Sequence, residues 1–485
     1  MAACGLPPEI WSHIVSNVPV FGQRNLLQVS RSLHEIARSI VFSAVKIYII
    51  GGDAVYKMLS TEDDHFKEEA THKLTTRSYE LLRQMTRDPS FARVVRDLTV
   101  VTSSDCESTF EYLFLADAVK SLPNLQTFQW IGPHPPLADN ITESLPDDLQ
   151  SLSLKTYVPP ANLLHRFHNI AQLAFPTPFF YPDDDEARDY GSASATLLDI
   201  SHLIPDFDEI MSTMALDNLH SLTINAVYLP KLPIKVIGNL TQLDICVTTT
   251  IHPGGLDLVF RHALSLESLT LFGYVDRDVF SWFPCEASDL PALRSFRLSC
   301  DRFTMIQPLE PQEMEVLLKF LGDRPNMRRL YLRIPSINFI NLTALAPVIR
   351  SMKTLEVFGI HTGAIVVDDW FVPFIASILP ASITALHLAI DWNGSSLLPL
   401  VDYLANFPRL QFFHLYGVRT RITLLLEDAA STATNLTLIG RNRSLFDIVR
   451  GGPELELKKW PRWKTKFCTE VDFQHEDHFW LYQYN

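Results

Sequence analysis

The sequence has little glycine, few cysteines and no long apolar run, and each shortage excludes a class of protein. Its 18 glycines form no phosphate-binding loop, and neither an HExxH nor a CxxC motif occurs among its 485 residues. The 6 cysteines show no zinc-ligand spacing and no disulfide framework, which favours a reducing compartment. We therefore expect no catalytic residues, no metal and no cofactor. An enzyme whose catalytic residues come together from distant positions is the remaining alternative.

The chain is also poor in basic residues and has no segment typical of a membrane span or a secretion signal. There are 41 Lys and Arg against 55 Asp and Glu, a net charge of −14, which argues against a nucleic-acid or membrane partner. The most apolar early run, residues 40–50, is too short to cross a bilayer and contains Lys46. The first residues lack the basic and apolar regions of a signal peptide, so we expect a cytoplasmic or nuclear protein.

A six-residue pattern, L-x-x-L-x-L with other apolar residues allowed, recurs through most of the chain. Successive copies begin 21 to 34 residues after one another, except for one step of 49 residues after the fourth copy. One such match would mean little, whereas twelve at a near-regular period are the signature of a repeat protein. The copies are residues 95–100, 125–130, 149–154, 170–175, 219–224, 240–245, 266–271, 293–298, 327–332, 355–360, 383–388 and 410–415, with a frayed copy at 435–440.

The alternation within this hexamer predicts a strand whose last two apolar residues face the interior. Segments between the copies, such as residues 314–322 and 397–407, have helical apolar spacing. One repeat cannot bury its apolar face alone, whereas a stack can. We therefore predict an α/β fold in which residues 94–450 form an irregular leucine-rich-repeat solenoid, a curved parallel sheet with helical return segments and an irregular insert near 176–218.

None of these copies lies at the ends of the chain, which are predicted to be separate parts. Residues 1–48 carry two apolar stripes at helical spacing, which predict a short all-α unit with more apolar surface than it can hide. Residues 49–93 are predicted to be a helical connector, and residues 451–485 a C-terminal cap. Within that cap, basic and aromatic residues alternate at 458–467. Such a pattern can bind nucleic acid or acidic lipid, but packing over the last repeat is the favoured interpretation. The acidic run at 183–186 lacks calcium-ligand spacing and is predicted to be a solvated loop.

The N-terminal segments LPPEIWSHIVSNV and LLQVSRSLHEIARSIVFSAVKI resemble the F-box, in the form common among fungal F-box proteins. ELLRQMTRDPSFARVVRDLTV resembles the segment that follows the box in many fungal members, and the repeats resemble the leucine-rich domain that often comes next. In that family the box docks on a Skp-family adaptor, which tethers it to a cullin–RING ligase, and the downstream domain captures a protein. The resemblance therefore implies a substrate-recognition subunit of an SCF-type ubiquitin ligase.

The resemblance also assigns adaptor-binding residues, whose apolar side chains would enter a hydrophobic groove of the partner. They are Leu6, Pro7, Ile10, Ile14, Leu26, Leu27, Val29, Ser30, Leu33 and Ala37. In the alternative interpretation, residues 1–48 only cap the open end of the solenoid. The chain would then be a leucine-rich-repeat scaffold or inhibitor with no link to ubiquitin. Exposure of the apolar stripe distinguishes the two, because an exposed patch implies a partner.

The strand positions that flank the interior residues are predicted to face the concave surface and to bind the substrate. In the later repeats these residues are Arg297, Arg329, Tyr331, Arg333, His361, His387, Phe412, His414 and Tyr416. Only two acids, Asp97 and Asp244, occupy such positions in the twelve copies. A cationic, aromatic surface fits an acidic or phosphorylated protein segment. In the alternative interpretation, exposed strand positions simply vary.

Overall fold

The computed structural model describes most of the chain, which folds as two compact units, residues 1–222 and 223–485. The described ranges are 6–18, 20–52, 64–104, 109–132, 135–155, 158–177, 204, 206–247, 253–273, 277–283, 289–300, 309–334, 337–394, 396–417, 426–450 and 455–483. Most of the predicted insert near 176–218, including the acidic run at 183–186, lies outside them.

The first unit begins with three short helices, as the apolar stripes predict. Pro8 is the first residue of α1, where its missing N–H costs no hydrogen bond. Ser30 caps the third helix, because its hydroxyl accepts a hydrogen bond from the Leu33 amide at 3.2 Å. Both α1 and α2 pack on α3. The bounds are Pro8–Ser16 for α1, Val20–Leu26 for α2 and Arg31–Val41 for α3.

A parallel ladder follows in the same unit, with its strands paired in sequence order from β1 to β5. Its strands are β1 (Ala44–Gly51), β2 (Asp97–Ser104), β3 (Thr127–Ile131), β4 (Ser151–Leu154) and β5 (Gln172–Ala174). Helical segments return the chain between strands: α4 (Asp64–Arg87), α5 (Pro89–Ala92), α6 (Thr109–Lys120), α7 (Asp139–Thr142) and α8 (Ala161–Leu164). Helix α9 (Phe207–Thr213) follows, and β6 (Ser221–Asn225) spans the division between the units.

The second unit continues the same plan with a longer ladder. Strands β7 to β14 pair in parallel and in sequence order, and β15 and β16 then add an antiparallel end. The strands are β7 (Gln242–Val247), β8 (Ser268–Gly273), β9 (Ser295–Cys300), β10 (Arg329–Arg333), β11 (Val357–Val367), β12 (Ala385–Trp392), β13 (Phe412–Gly417), β14 (Leu438–Arg441), β15 (Ser444–Val449) and β16 (Glu456–Lys459).

In the described part of this unit, eight α-helices and a final helix accompany these strands, together with 3-10 turns at Ala226–Lys231, Arg277–Trp282 and Glu470–Asp472. The α-helices are α10 (Ile234–Asn239), α11 (Pro253–His262), α12 (Pro311–Gly322), α13 (Phe339–Ser351), α14 (Phe371–Ile378), α15 (Leu398–Leu404), α16 (Leu426–Thr432), α17 (Arg462–Lys466) and, last, α18 (Glu476–Tyr482). Neighbouring return helices pack side by side, as α13 does with α14 and α14 with α15. Between them and the strands lies the core, which includes an edge-to-face cluster of Phe283, Phe296 and Phe320.

The predicted fold class is confirmed, since a short helical unit precedes parallel strands that alternate with helical return segments. Every predicted hexamer contains a strand, and nearly all the strands begin at the third position of the hexamer. The predicted start of the ladder at residue 94 is wrong, because β1 already pairs with β2 over Ala44–Gly51. Residues 42–47, FSAVKI, have the same apolar spacing, and β1 begins at their third position, so the series starts one copy earlier than predicted. Among the described helices, none is both long and apolar enough to cross a membrane.

The interior strand positions should dominate the stability of the second unit. Leu330 in β10 is fully buried, so Leu330→Ala should lower the free energy of unfolding by about 2–5 kcal/mol. Leu264→Ala is the matched control, since Leu264 is exposed in the same unit, and its effect should stay within about 0.5 kcal/mol. Urea denaturation of both variants measures the difference. Equal effects would show that β10 does not contribute a core strand.

Candidate functional site

The first candidate site is an apolar surface on the three N-terminal helices. Leu6, Ile10 and Ile14 are 44%, 46% and 41% exposed, and Val29 after α2 is 62% exposed. Leu6 precedes α1, and Ile10 and Ile14 lie one turn apart on it, so they share a face. The opposite side of α1 is anchored by Val15, which is fully buried. The helices therefore present an apolar stripe that the chain itself leaves uncovered.

The other predicted adaptor-binding residues divide into three groups. Pro7 and Ser30 are exposed, and the Ser30 side chain is already engaged as the cap of α3. Leu26, Leu27 and Leu33 are half-buried. Ala37 is fully buried, so the prediction that it lines the docking surface is wrong. Ala37 is the buried residue of α3, the helix on which α1 and α2 pack.

Polar and aromatic contacts within the first unit hold these helices in place. Arg38 of α3 lies 3.1 Å from the Asp88 carboxylate and donates a hydrogen bond to Ser90 at 3.0 Å. Hydrogen bonds from the Ser90 hydroxyl and the Phe91 amide lower the pKa of Asp88, so its charge is retained beside Arg38. Phe42 packs edge-on against Phe91, with ring centroids 5.2 Å apart. The apolar stripe therefore sits on an anchored base.

The second candidate site is one face of the sheet in the second unit, where the predicted substrate-binding residues meet. The ladder aligns them in three rows, which together we call the sheet face. The first row is Arg329, Val357, Ala385, Phe412 and Leu438, the second is Arg297, Tyr331, Gly359, His387, His414 and Gly440, and the third is Arg333, His361, Ala389 and Tyr416. All nine predicted residues thus lie on the sheet face.

The chain's own C-terminal segment, residues 455–483, covers the first two rows of this face. Helix α18 contacts β11 and β12, and its Trp480 and Leu481 are buried. Trp460 and Phe473 of the same segment are buried as well, with ring centroids 5.2 Å apart. One continuous cluster joins the segment to the sheet: Tyr331, Val357, Ala385, Phe412, Leu438, Leu445, Trp460, Phe473, Trp480 and Leu481. The segment is therefore part of the core of this unit.

Arg297 connects the sheet to the end of this segment. Its guanidinium is fully buried, and it donates hydrogen bonds to the carbonyls of Trp480 and of Gln483, the latter at 2.9 Å. The same group lies over the Tyr331 ring at 4.3 Å and the Trp480 ring at 4.6 Å from the centroids. These are carbonyls at the end of α18, where a helix carries partial negative charge. Arg297 therefore satisfies the end of the helix that covers it.

Acidic residues at the start of α18 meet Arg329 of β10 and the preceding Arg328. Arg329 forms ion pairs with Glu476 and with the buried Asp477, the latter at 2.6 Å. Arg328 lies 2.6 Å from Asp477 and donates a hydrogen bond to Glu356 at 2.7 Å. Arg329, which was predicted to hold an acidic substrate, is therefore paired within the chain.

Two glycines make room on the sheet face for large rings. A Cβ atom at Gly359 would lie against the Tyr331 ring and 2.9 Å from Leu481 Cδ1. At Gly440 it would lie against the His414 ring. The missing side chains let Tyr331 lean across β11, and its ring centroid lies 5.7 Å from that of His387.

Buried histidines form the centre of the sheet face. His387 and His414 share a hydrogen bond of 2.8 Å between their Nδ1 atoms, and His414 Nε2 lies 2.7 Å from the Asn442 carbonyl. A carbonyl only accepts, so Nε2 of His414 carries its proton and the Nδ1 proton comes from His387. Burial lowers the pKa of His414 to about 4 and that of His387 well below its ordinary value. The pair is therefore neutral.

The structure thus closes much of the surface that the sequence predicts to be open. Arg297, Tyr331, His387, Phe412 and His414 are buried, and the remaining predicted residues are half-buried. The C-terminal residues cover more than the last repeat on which they were predicted to pack, because α18 reaches back as far as β9 through Arg297. The sequence offers one signal for this cover, the acids at 476 and 477 that pair with the arginines at 328 and 329. The spacing of the repeats does not reveal that pairing.

Loss of Arg297 should loosen the C-terminal segment. Arg297→Met leaves one buried and one partly buried carbonyl without this donor, at a cost of about 1–3 kcal/mol. Amide hydrogen exchange in residues 476–483 should therefore accelerate about tenfold or more. Arg294→Met is the control, because Arg294 is exposed next to β9 and its loss should leave the exchange unchanged. Unchanged exchange in Arg297→Met would contradict the assigned role.

Acid should destabilise the second unit through its neutral histidines. In the unfolded chain His414 titrates near pH 6.5, so the unfolded state binds more protons than the folded state between about pH 6.5 and 4. Stability is therefore lost as the pH falls, by about 2 kcal/mol for His414 between pH 7 and 5. Urea denaturation of His414→Phe at both pH values should show a loss smaller by that amount. His168→Gln, at an exposed position, should keep the full loss. An equal loss in His414→Phe would contradict the neutral pair.

Comparison with known protein families gives one match. Residues 4–43 match the family model of the F-box domain, and they include all three N-terminal helices. No curated protein matches the chain. The match supports an adaptor role for these helices, and the likeness to fungal members stays a prediction.

Two solved structures resemble the fold at low sequence identity. A TLR13–ssRNA13 complex is 14% identical with a TM-score of 0.34, and the match covers 74% of this chain and 51% of that chain. The chain therefore spans about half the length of that protein. The Rad7 and Elc1 complex in yeast is 13% identical with a TM-score of 0.39, over 89% of this chain and 100% of that chain. Both TM-scores are low, so neither structure is a guide to what this chain binds. What the comparisons establish is that this chain carries an F-box domain at residues 4–43.

Proposed function

We propose that this chain is the substrate-recognition subunit of an SCF-type cullin–RING ubiquitin ligase. Its F-box domain docks on a Skp-family adaptor, and its repeats hold a protein substrate. No residue of the chain acts in catalysis in this proposal, because the chain raises the local concentration of a target beside the ligase.

The observation that carries the proposal is the exposed stripe of Leu6, Ile10 and Ile14 within the F-box match. Fourteen large apolar side chains are exposed among the described residues, and these three and Val29 belong to one short helical unit. Apolar side chains grouped in this way favour a groove-binding partner over open water.

A second candidate function is a repeat scaffold in which the helices only cap the sheet. The Arg38–Asp88 pair and the Phe42–Phe91 contact favour it, because they fasten α3 to the segment before β2. A cap explains the buried side of the helices and leaves the exposed side unexplained. We therefore prefer docking, with capping as a second consequence of the same packing.

Co-purification with a Skp-family adaptor tests the proposal. The triple variant Leu6→Ala, Ile10→Ala, Ile14→Ala should weaken adaptor binding about a hundredfold, because it removes three apolar anchors from the centre of the interface. Its thermal unfolding should resemble that of the wild type, since all three side chains are exposed.

The matched control is the double variant Phe110→Ala, Leu113→Ala, which removes exposed apolar side chains outside the F-box match in the same unit. It should bind the adaptor as the wild type does. If folded wild-type protein fails to retain any adaptor, the chain is a repeat scaffold and the ligase role is wrong.

A further inference from the structure

A second group of exposed apolar side chains lies at one edge of the second unit. Phe339 and Ile340 are 52% and 74% exposed, Val366 is 49% exposed and Leu398 is 55% exposed. Phe339, Ile340 and Leu398 are the first residues of α13 and α15, and Val366 ends β11 shortly before α14. Because the return helices pack side by side in one direction, their starts share an edge of the unit. We call these residues, together with Trp370, the apolar rim.

Aromatic contacts join the parts of the apolar rim. Phe339 packs edge-on against Trp370, with ring centroids 4.9 Å apart. Trp392 lies close beside Gly394, and a Cβ atom there would be 2.7 Å from the Asp369 carboxylate. Val367 pairs with Trp392 in the ladder, so the ends of β11 and β12 lie together. The rim is therefore one surface built from three consecutive repeats.

At each of the three helix starts at this edge, one backbone amide is already bonded within the chain. Asn338, Asp368 and Ser396 each precede one of the three helices, and each accepts a hydrogen bond from a nearby backbone amide. The donors are the amides of Asn341, Trp370 and Leu398, at 2.8, 3.2 and 3.1 Å. The free amides that usually attract phosphate or carboxylate are thus partly satisfied within the chain.

The charge of the rim favours a cation over an anion. No Lys or Arg occurs between Lys353 and Arg409, which includes the two connections that end at α14 and α15. Asp368 and Asp369 are exposed beside Trp370. The nearest cation before the rim is Arg333, which lies opposite His361 on the sheet face. An apolar surface with carboxylates and no cation favours a partner with positive charge.

A buried carboxylate adds an independent observation. Asp391 lies opposite Val366 in the ladder and is buried, and its Oδ1 atom has no hydrogen-bond partner among the described residues. A buried acceptor of this kind is costly unless a donor reaches it. An ammonium or guanidinium group entering beside Val366 would supply that donor.

We propose that the apolar rim binds a protein segment that carries large apolar side chains together with Lys or Arg, with Asp391 receiving one of its cations. Calling that segment the substrate rests on the proposed ligase role. The proposal that the surface binds such a segment does not rest on it. The proposal reverses the sign of the substrate predicted from the sequence, because Arg329 of the sheet face is paired with Glu476 and Asp477 and Arg297 is covered by the C-terminal segment.

Fluorescence anisotropy with the full chain tests the proposal. The probe is a labelled 14-residue amphipathic peptide of Leu and Lys, and its counterpart has Glu in place of every Lys. The Leu/Lys peptide should bind the more tightly, and Ile340→Ser and Asp391→Asn should each weaken it about fivefold or more. Ile234→Ser and Glu315→Gln, at exposed positions elsewhere in the unit, are matched controls and should leave its affinity within about twofold.

Three results would overturn the proposal: no binding of the Leu/Lys peptide, preference for the Leu/Glu peptide, or equal weakening by the rim and control variants. The adaptor co-purification, run on the same variants, separates this inference from the ligase role. If the adaptor is retained and the Leu/Lys peptide does not bind, only the rim proposal is refuted. Binding at the rim without adaptor leaves the rim in place and removes the ligase role.

Discussion

The buried guanidinium of Arg297 is the interaction on which the second unit depends. A charge without water must be paired or hydrogen-bonded, and the carbonyls of Trp480 and Gln483 are what the chain provides. The C-terminal segment that brings them also buries Trp480 and Leu481 against Tyr331. Both faces of this part of the sheet are consequently covered, one by the return helices and the other by residues 455–483. Displacing the segment would expose a large apolar cluster together with the buried guanidinium of Arg297, so we regard the segment as structural.

This closure determines where the chain can meet partners. A surface that is already core offers no binding energy, whereas uncovered apolar side chains do. In the described residues two such groups stand out, the stripe on the F-box helices and the apolar rim of the second unit. They lie in different units and differ in character, since the first is an apolar helix face and the second combines aromatic and acidic side chains. An adaptor and a substrate are the two partners that the proposed function requires.

Much of the fold could be predicted from the sequence because its signal is local and repeated. Each L-x-x-L-x-L copy places two leucine-like residues on one face of a strand, and twelve copies fix the period. Strand β1 was missed although residues 42–47 have this spacing, because they also belong to the segment that resembles the F-box. The cover on the sheet face was missed for a different reason. Arg297 and Trp480 are far apart in the chain. Arg and Trp also occur at exposed positions, so the residue types do not show that these two side chains meet, and only the three-dimensional structure pairs them.

Hydrogen exchange of the full chain, alone and with a Skp-family adaptor, tests the central claim most directly. The account predicts that the adaptor slows exchange across residues 6–41 and leaves the C-terminal segment as slow as in the free protein. A rise in exchange within residues 476–483, or protection that appears on the sheet face and not on the F-box helices, would contradict it.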